Sequence, residues 1–290
     1  MMPGGLDGWR TEFIKPPEGV LDHPVAFLAE DSPNHTIETH FHQVDQFQVV
    51  VTGGGTLGKH ELAINAVHFS RAYTPYGPIA GDQRGVGFLT LRAHWDPGAQ
   101  YVEANREKLL GMPGRRPWQA TELPEFAGEA AVNLHAFTTL RDERGLAAYS
   151  LRLAPGATTA TPDASGSNGQ FIIVARGSVR YQKRERGATS VCFIRPDEGS
   201  FQLEAGPAGA DVLVLNFPRP DGGARRVAEK SGGQVLRVWQ CQLCAFVYDE
   251  AEGMPDEGVA PGTRWSDVPD SWTCPDCGAG KADFDMLAVA

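Results

Sequence analysis

The chain has 290 residues, of which 41% are hydrophobic and 21% are charged, and its net charge at pH 7 is −10. This composition is typical of a globular protein of two or three domains, and the negative charge argues against nucleic acid or anionic membranes as partners. No stretch approaches the roughly 20 apolar residues of a membrane span, and the first residues lack the apolar core of a secretory signal. We therefore expect a soluble, cytoplasmic protein.

Two stretches of short β-type runs, punctuated by Gly and Pro, cover residues 24–96 and 132–217. Regularly spaced short strands of this kind predict a mainly β fold of the sandwich or barrel type. The two stretches also look like copies of one another, since residues 46–53 (QFQVVVTG) align with residues 170–177 (QFIIVARG). An internal repeat of this length predicts two similar domains.

The segments between these stretches set the predicted domain boundaries. Residues 101–111 form the best helix candidate and end in a glycine cap, whereas the Pro-rich residues 112–129 predict a loop. Residues 218–234 show no periodic apolar face and predict a flexible linker. The expected domains are therefore 1–111, 112–217 and 235–290.

Two motifs in the first stretch resemble those of a known family. His40, His42 and Gln46, followed by Gly53, resemble the first cupin motif, His-x-His-x3-Glu ahead of a glycine. The Pro-rich turn of residues 71–77 resembles the second motif, with Tyr76 where that family carries a histidine. The resemblance covers residues 24–217 and implies a duplicated cupin, or bicupin, of two jelly-roll barrels.

The same resemblance implies a metal site in the N-terminal barrel. Residues two apart in a strand share a face, so His40, His42 and Gln46 would project together into the barrel. Two imidazoles can anchor a second divalent metal such as Fe, Mn, Ni, Cu or Zn, but Gln46 cannot supply the charge of the family's glutamate. His68 or His94 could complete the set from neighbouring strands, or each could be an ordinary strand histidine.

Other polar residues of this barrel, Asp45, Tyr76 and Arg92, are further candidates for a site, without an assigned role. In the second repeat the positions equivalent to His40, His42 and Gln46 are Ala164, Gly166 and Gln170, so no metal is expected there. A glutamine shared by both repeats could instead orient a ligand or satisfy a buried group.

Four of the five cysteines form two Cys-x-x-Cys pairs, Cys241 with Cys244 and Cys274 with Cys277, separated by 29 residues. Two such pairs can build a tetrahedral S4 site, which selects iron or zinc, and the spacing alone leaves both metals open. The fifth cysteine, Cys192, lies in an apolar run and is expected to be a small buried hydrophobic residue.

The residues around these pairs resemble rubredoxin across the whole module 235–290, most of all the rubredoxins that serve bacterial alkane hydroxylases. This resemblance implies one iron held as Fe(Cys)4, single-electron transfer, and Cys244 and Cys277 as the solvent-facing ligands. Ala245 departs from the usual glycine after the second cysteine of a pair, whereas Gly278 keeps it. A module this small needs a metal to be stable. Its core would be aromatic: Trp239, Phe246, Tyr248, Trp265, Trp272 and Phe284.

The module carries ten acids and three bases, a net charge of −7, against −3 for the preceding 234 residues. The charge favours docking on basic surfaces of a redox partner, a reductase or an oxygenase. Electron transfer through Fe(Cys)4 is therefore the first functional hypothesis. In the second, the N-terminal cupin is a metal-dependent oxygenase or oxidoreductase on a small organic substrate, with the module as internal donor. In the third, the module is a structural metal tail on a ligand-binding bicupin. Homodimerisation is an additional expectation.

Overall fold

The computed structural model describes residues 5–109, 118–220, 236–241, 246–275 and 278–287. Antiparallel strands dominate these residues, as expected from a sequence rich in β-branched and aromatic runs. In the first part of the chain the strands are β1 (Gly8–Ile14), β2 (Val25–Asp31), β3 (Thr36–Ile37), β4 (His40–Phe41), β5 (Gln46–Leu57), β6 (His60–Leu62), β7 (Val67–Ser70), β8 (Ile79–Arg92), β9 (Gln100–Tyr101) and β10 (Gln119–Glu122).

These strands form the N-terminal barrel. Its main sheet has the order β1-β2-β8-β5-β7-β10, with β3 and β6 paired to β8 and β5, and β4 pairs separately with β9. The long strands β5 and β8 are buried on both faces. Phe47 and Val49 point to one side, whereas Gln46 and Gln48 line the barrel interior on the other. The alternation places every second residue of β5 inside the barrel.

The second repeat forms another barrel from seven strands: β11 (Val132–Arg141), β12 (Ala147–Leu153), β13 (Thr158–Ala160), β14 (Gln170–Tyr181), β15 (Arg184–Gly187), β16 (Val191–Ile194) and β17 (Gln202–Asn216). Their main order is β11-β12-β17-β14-β15, with β13 on β17 and β16 on β14. The mainly β fold of two similar domains, predicted from the strand runs and the repeat, is confirmed.

The repeated glycine has the same structural role in both barrels. Gly53 and Gly177 have positive φ, 65° and 72°, next to irregularities in the pairing of β5 with β8 and of β14 with β17. A Cβ at Gly53 would collide with the carbonyl of Gly85, and one at Gly177 with the carbonyl of Gly209. Only glycine suits this combination of conformation and close approach.

The two barrels share a hydrophobic core. The ring centroid of Phe217, just after β17, lies 5.0 Å from that of Phe47 in the first barrel and 5.9 Å from that of Phe171 in the second. Phe47, Phe69, Phe171 and Phe217 are at most 1% exposed and belong to one cluster. The interior of each barrel has a separate cluster. The barrels therefore pack face to face through large apolar side chains.

The C-terminal domain is a small three-stranded sheet, in the order β19-β18-β20, with three short 3₁₀ turns. Its strands are β18 (Val238–Cys241), β19 (Val247–Asp249) and β20 (Phe284–Leu287), and its turns are Pro255–Glu257, Trp265–Asp267 and Lys281–Asp283. Aromatic residues form most of its core.

The connecting segments differ from expectation in two places. The helix predicted over residues 101–111 is shorter: α1 (Val102–Asn105) continues into a 3₁₀ turn (Arg106–Lys108), and its first residue has no capping side chain. The predicted loop 112–129 contains β10, which pairs with β7 and so extends the first sheet past the proposed boundary at residue 111. The glycine cap at Gly111 lies outside the described residues.

The predicted linker, residues 218–234, also lies outside the described residues except for its first three positions. Within the part of the chain that the structure describes, no helix is long and apolar enough to span a membrane.

Candidate functional site

Two of the four predicted sulfur ligands lie in the described part of the C-terminal domain. Cys241 ends β18, Cys274 lies between the second and third 3₁₀ turns, and both are fully buried. The backbone N–H of Cys241 donates to the carbonyl of Phe246 (2.8 Å), and that of Cys274 donates to the carbonyl of Ala279 (2.7 Å). Cys244 and Cys277, like Ala245, lie outside the described residues.

The turn after Cys274 has the geometry expected of a metal-binding knuckle. Gly278 adopts a φ of +77°, which favours glycine, and its N–H donates to the carbonyl of Cys274 over 2.8 Å. The chain therefore folds back on itself next to the sulfur. Four thiolates, of which those of Cys241 and Cys274 are buried, fit a tetrahedral iron site.

Aromatic rings surround the cysteines. Trp265 is central: its ring centroid lies 4.7 Å from that of Phe284, 5.2 Å from Tyr248 and 5.4 Å from Trp272. Trp239 stacks on it at 5.5 Å. This packing excludes water from one side of the sulfur site, which is one means by which a protein sets a metal's potential.

A buried carboxylate, Glu250, holds this core together, and sequence reasoning counted it only as one of the ten acids. Its oxygens accept hydrogen bonds from the Trp239 indole N–H (3.0 Å), the Trp265 amide (2.9 Å) and the Arg237 amide (2.9 Å). Burial alone would raise the pKa of Glu250, but these hydrogen bonds outweigh it and hold the pKa below its usual value. This role of Glu250 depends on two turns that meet in the folded domain, and no local sequence pattern indicates that they do.

In the N-terminal barrel the structure brings His40, His42 and Gln46 together, as the motif spacing predicts. All three line one interior cavity of about 910 Å³ and are at most 6% exposed. Tyr76 and Arg92 line the same cavity. The three motif residues thus line one cavity, although His40 lies on β4 and Gln46 begins β5, with a bend at residues 43–44 between them. Their use as metal ligands stays a prediction.

The hydrogen bonds of this cluster run in one direction. His40 Nδ1 donates to the carbonyl of Glu38 (2.8 Å), which leaves Nε2 as an acceptor for the Tyr76 hydroxyl at 3.0 Å. The Tyr76 oxygen accepts from Gln46 Nε2 (2.6 Å), and Gln46 Oε1 accepts from Arg92 Nε (2.8 Å). A chain of three hydrogen bonds therefore links the guanidinium to His40.

His42 is held by Asp96 and Arg92. Its Nδ1 donates to Asp96 Oδ1 over 2.7 Å because an ionised carboxylate can only accept. Arg92 Nη2 lies 3.2 Å from Nδ1 and 3.3 Å from Nε2 of the same ring, so the guanidinium lies against the imidazole and not in line with one ring nitrogen. Arg92 Nη1 lies 3.3 Å from Asp96, and the backbone N–H groups of Gln43 and Gly98 also donate to Asp96.

The charges of the cluster follow from its burial. Loss of solvation lowers the pKa of His40 to about 3 and also lowers that of His42, so both imidazoles are neutral at pH 7. Burial alone would raise the pKa of Asp96, but its hydrogen bonds and the Arg92 charge keep it below the usual value. Arg92 and Asp96 therefore form an ion pair next to two neutral imidazoles.

These residues do not present a ready donor set for a metal ion. The Nε2 lone pair of His40, which a metal would need, accepts from the Tyr76 hydroxyl, and the Arg92 guanidinium lies 3.3 Å from Nε2 of His42. The guanidinium adds a positive charge beside the expected position of the cation. Across the described ranges, no group of three or more His, Cys, Asp or Glu side chains could hold a metal.

The remaining histidine candidates lie outside the cavity lining, although the ring centroid of His68 is 5.2 Å from that of Tyr76. His68 is buried and bonds Thr121 through Nδ1 at 2.9 Å, and burial lowers its pKa to about 3. His94 lies outside the cluster, where Nδ1 contacts Asp22 (2.9 Å) and Nε2 contacts Asn168 of the second barrel (2.8 Å). Neither residue lines the cavity.

The sequence did not indicate that Arg92 and Asp96 form a pair, although Arg92 was a candidate by itself. Asp45, another candidate, caps a turn by accepting from the backbone of Ala72 at 2.8 Å. Arg92 lies two residues after Thr90, and this spacing indicates that both face the cavity, because alternate residues of β8 line it. Asp96 follows the strand, and its position depends on the turn geometry.

The second barrel keeps only the glutamine of this constellation. Gln170 Nε2 donates to Asn216 Oδ1 (2.9 Å) and to the carbonyl of Pro162 (2.8 Å). Asn216 is paired with Gln170 across the strands. The shared glutamine therefore binds a cross-strand polar partner in both repeats, Arg92 in one and Asn216 in the other.

The comparisons with known proteins separate the two parts of the chain. The rubredoxin family model matches residues 238–284. Rubredoxin-1 of Alcanivorax borkumensis is 57% identical over 54 residues, and Rubredoxin-2 of Pseudomonas aeruginosa is 58% identical over 55 residues. Each match covers 19% of this chain and 100% of the relative. Membership of this family implies one Fe(Cys)4 centre.

The barrels resemble a solved structure of oxalate decarboxylase. That likeness covers 74% of this chain and 74% of the other, with 11% identity and a TM-score of 0.51. At this identity it shows the fold alone. The chain therefore belongs to the rubredoxin family through its C-terminal domain, which follows two barrels with the bicupin fold.

Proposed function

We propose that this protein transfers single electrons through its C-terminal domain, with Cys241, Cys244, Cys274 and Cys277 as the ligands of one iron. The observation that carries the proposal is the match of residues 238–284 to rubredoxins, with Cys241 and Cys274 buried in an aromatic core. Bound iron supplies a one-electron couple between ferric and ferrous states.

The chain's own residues would shield and orient the site. Since Cys241 and Cys274 are fully buried, electrons would leave through the other pair, Cys244 and Cys277. The rings of Trp265 and Trp272 keep water from the buried side. Gly278 lets the backbone turn closely around Cys274.

The partner would be a redox protein with a basic docking surface. Exposed carboxylates are distributed along the described part of the domain, and opposite charges accelerate the encounter of two proteins. Electron transfer to the partner should therefore slow as ionic strength rises. The exposed acids include Asp267, Asp270, Glu252 and Glu257.

The test is elemental analysis and an anaerobic redox titration of the native protein. We expect about one iron per chain, thiolate-to-iron absorption bands that bleach on reduction, and loss of both in Cys274→Ser. A matched Cys192→Ser variant should keep the iron, because Cys192 lies in the second barrel. A site filled with zinc, or an iron that cannot be reduced, would overturn the proposal.

The bicupin's part in this function has two alternatives. In one, the N-terminal barrel is an oxygenase or oxidoreductase that the rubredoxin domain supplies with electrons. In the other, the barrels bind a ligand without catalysis and the metal tail is structural. The Tyr76 hydroxyl on His40 Nε2 and the Arg92 guanidinium beside His42 weigh against metal catalysis. Turnover of an organic substrate by a chain that ends at residue 220, supplied with an artificial reductant, would favour the oxygenase or oxidoreductase alternative.

A further inference from the structure

The N-terminal barrel contains hydrogen-bonding groups that its internal network does not use. Gln48 on β5 and Thr90 on β8 are paired across the strands, line the cavity, and are 7% and 2% exposed. Neither side chain makes a hydrogen bond to another described residue. Both groups line the cavity, where water or a ligand can complete their hydrogen bonds.

Apolar side chains cover the wall around these two groups. Val25, Phe27, Ile37 and Phe88 line the cavity and are at most 7% exposed. The volume of about 910 Å³ is within the range of cavities that take small organic molecules. The cavity therefore combines a largely apolar wall with a few hydrogen-bonding groups at its inner end.

The charge of the inner end is balanced. Arg92 is paired with Asp96, because Nη1 lies 3.3 Å from a carboxylate oxygen. Nearer the opening, Arg10 is paired with Glu12 at 2.6 Å, and Lys15 and Glu18 are both in the lining. A neutral molecule therefore matches the paired charges of this lining better than an anion or a cation does.

The guanidinium still has hydrogen-bonding capacity. Its five N–H groups include one on Nε toward Gln46, one on Nη2 toward His42 and one on Nη1 toward Asp96. Two N–H groups remain for a neutral acceptor, such as a carbonyl oxygen. Arg92 can donate to such an acceptor. Gln48 and Thr90 can bond to a donor group next to it.

We propose that the N-terminal barrel binds, without a metal ion, an uncharged and mainly apolar organic molecule that carries an amide- or carbonyl-type group. The polar group lies against Gln48, Thr90 and Arg92, and the apolar body packs on Phe27 and Phe88. The site is independent of electron transfer by the C-terminal domain.

Three probes of similar size but different charge test this site on the full-length protein: 2-naphthamide, 2-naphthoate and 2-naphthylmethylammonium. Calorimetric titration should show saturable binding of the amide, with each charged probe at least about tenfold weaker. Tighter binding of either charged probe, or no saturable binding of the amide, would overturn the proposal.

Matched variants locate the bound probe. Thr90→Val and Gln48→Leu should each weaken 2-naphthamide binding by about tenfold, because each removes one hydrogen bond inside the cavity. Thr56→Val is the control: Thr56 lies on the same strand as Gln48, is exposed, and does not line the cavity. Equal losses in all three variants, or none in the cavity variants, would contradict the assignment.

Metal analysis supplies an independent outcome. We expect one iron per chain in the wild type and the same content in His42→Ala. A second Mn, Fe, Ni, Cu or Zn ion per chain that disappears in His42→Ala would overturn the metal-free assignment. Circular dichroism of each variant would show that loss of binding does not follow from unfolding.

Discussion

The hydroxyl of Tyr76 donates a hydrogen bond to Nε2 of His40 over 3.0 Å, deep in the N-terminal barrel. Tyr76→Phe would remove this donor and leave both His40 Nε2 and Gln46 Nε2 without their partner. We expect the free energy of unfolding to fall by about 1–3 kcal/mol, as measured by chemical denaturation. Tyr181→Phe is the control because Tyr181 is 43% exposed. An unchanged midpoint in Tyr76→Phe would argue against the hydrogen-bonded chain.

Glu122 joins β10, on the sheet of the first barrel, to β11 of the second. Its carboxylate accepts from the backbone N–H groups of Thr138 and Thr139, at 2.8 Å each, and from their hydroxyls. Burial alone would raise its pKa, but these hydrogen bonds keep the pKa below its ordinary value of 4.5. The carboxylate therefore stabilises the protein above that pH and loses its effect as pH falls through the folded-state pKa.

Glu122→Gln should accordingly destabilise the barrels by about 1 kcal/mol near neutral pH, a figure that allows for partial exposure. The difference from wild type should shrink as pH falls from about 6 to about 3. Thermal melts across this range would measure it. The exposed Glu129, changed to Gln, should show no such trend, and a pH-independent difference for Glu122→Gln would refute the linkage.

Glu250 is expected to set the stability of the rubredoxin domain. Glu250→Gln keeps the size of the side chain but replaces one acceptor oxygen with an NH₂ group that cannot accept the Trp or Arg237 hydrogen bonds. We expect a loss of about 2–3 kcal/mol and faster release of iron to a chelator. Stopped-flow bleaching of the iron absorption would measure the release, and Glu257→Gln, at an exposed position, is the matched control.

Phe217→Ala tests the core that the barrels share. Truncating a fully buried phenylalanine costs about 3–5 kcal/mol, and here the cavity would open between the two barrels. We expect both barrels to melt earlier and together in calorimetry. Leu134→Ala, at a 51% exposed position on β11, should leave the transition in place. Loss of stability in the second barrel alone would contradict a shared core.

Sequence patterns predicted the repeat because it depends on local physics. The spacing of Gln46 and Gly53, and of Gln170 and Gly177, reports strand length and a backbone position that excludes a side chain. Alternation along a strand predicted that His40, His42 and Gln46 face one site. They do line one cavity, but from β4, from the bend that follows it and from the start of β5. The family of the C-terminal domain was recognisable because its cysteines and aromatic residues occur together in one short segment.

The rest required distances between segments. Pairing of His42 with Asp96, 54 residues later, depends on how the turn after β8 folds, and no periodicity reports that. Strand β10 was expected to be loop because its four residues, Gln119–Glu122, are short and polar; pairing with β7 makes it a strand. Tertiary context outweighs weak local preference in such cases.

The packing of Phe217 between Phe47 and Phe171 also couples the two barrels energetically. A molecule that binds only the folded first barrel raises the free energy needed to open that barrel. Because the second barrel loses part of its core when the first opens, amide protons of β14 and β17 should exchange more slowly once the distant cavity is filled. The barrel without a histidine cluster would thus report the occupancy of the other.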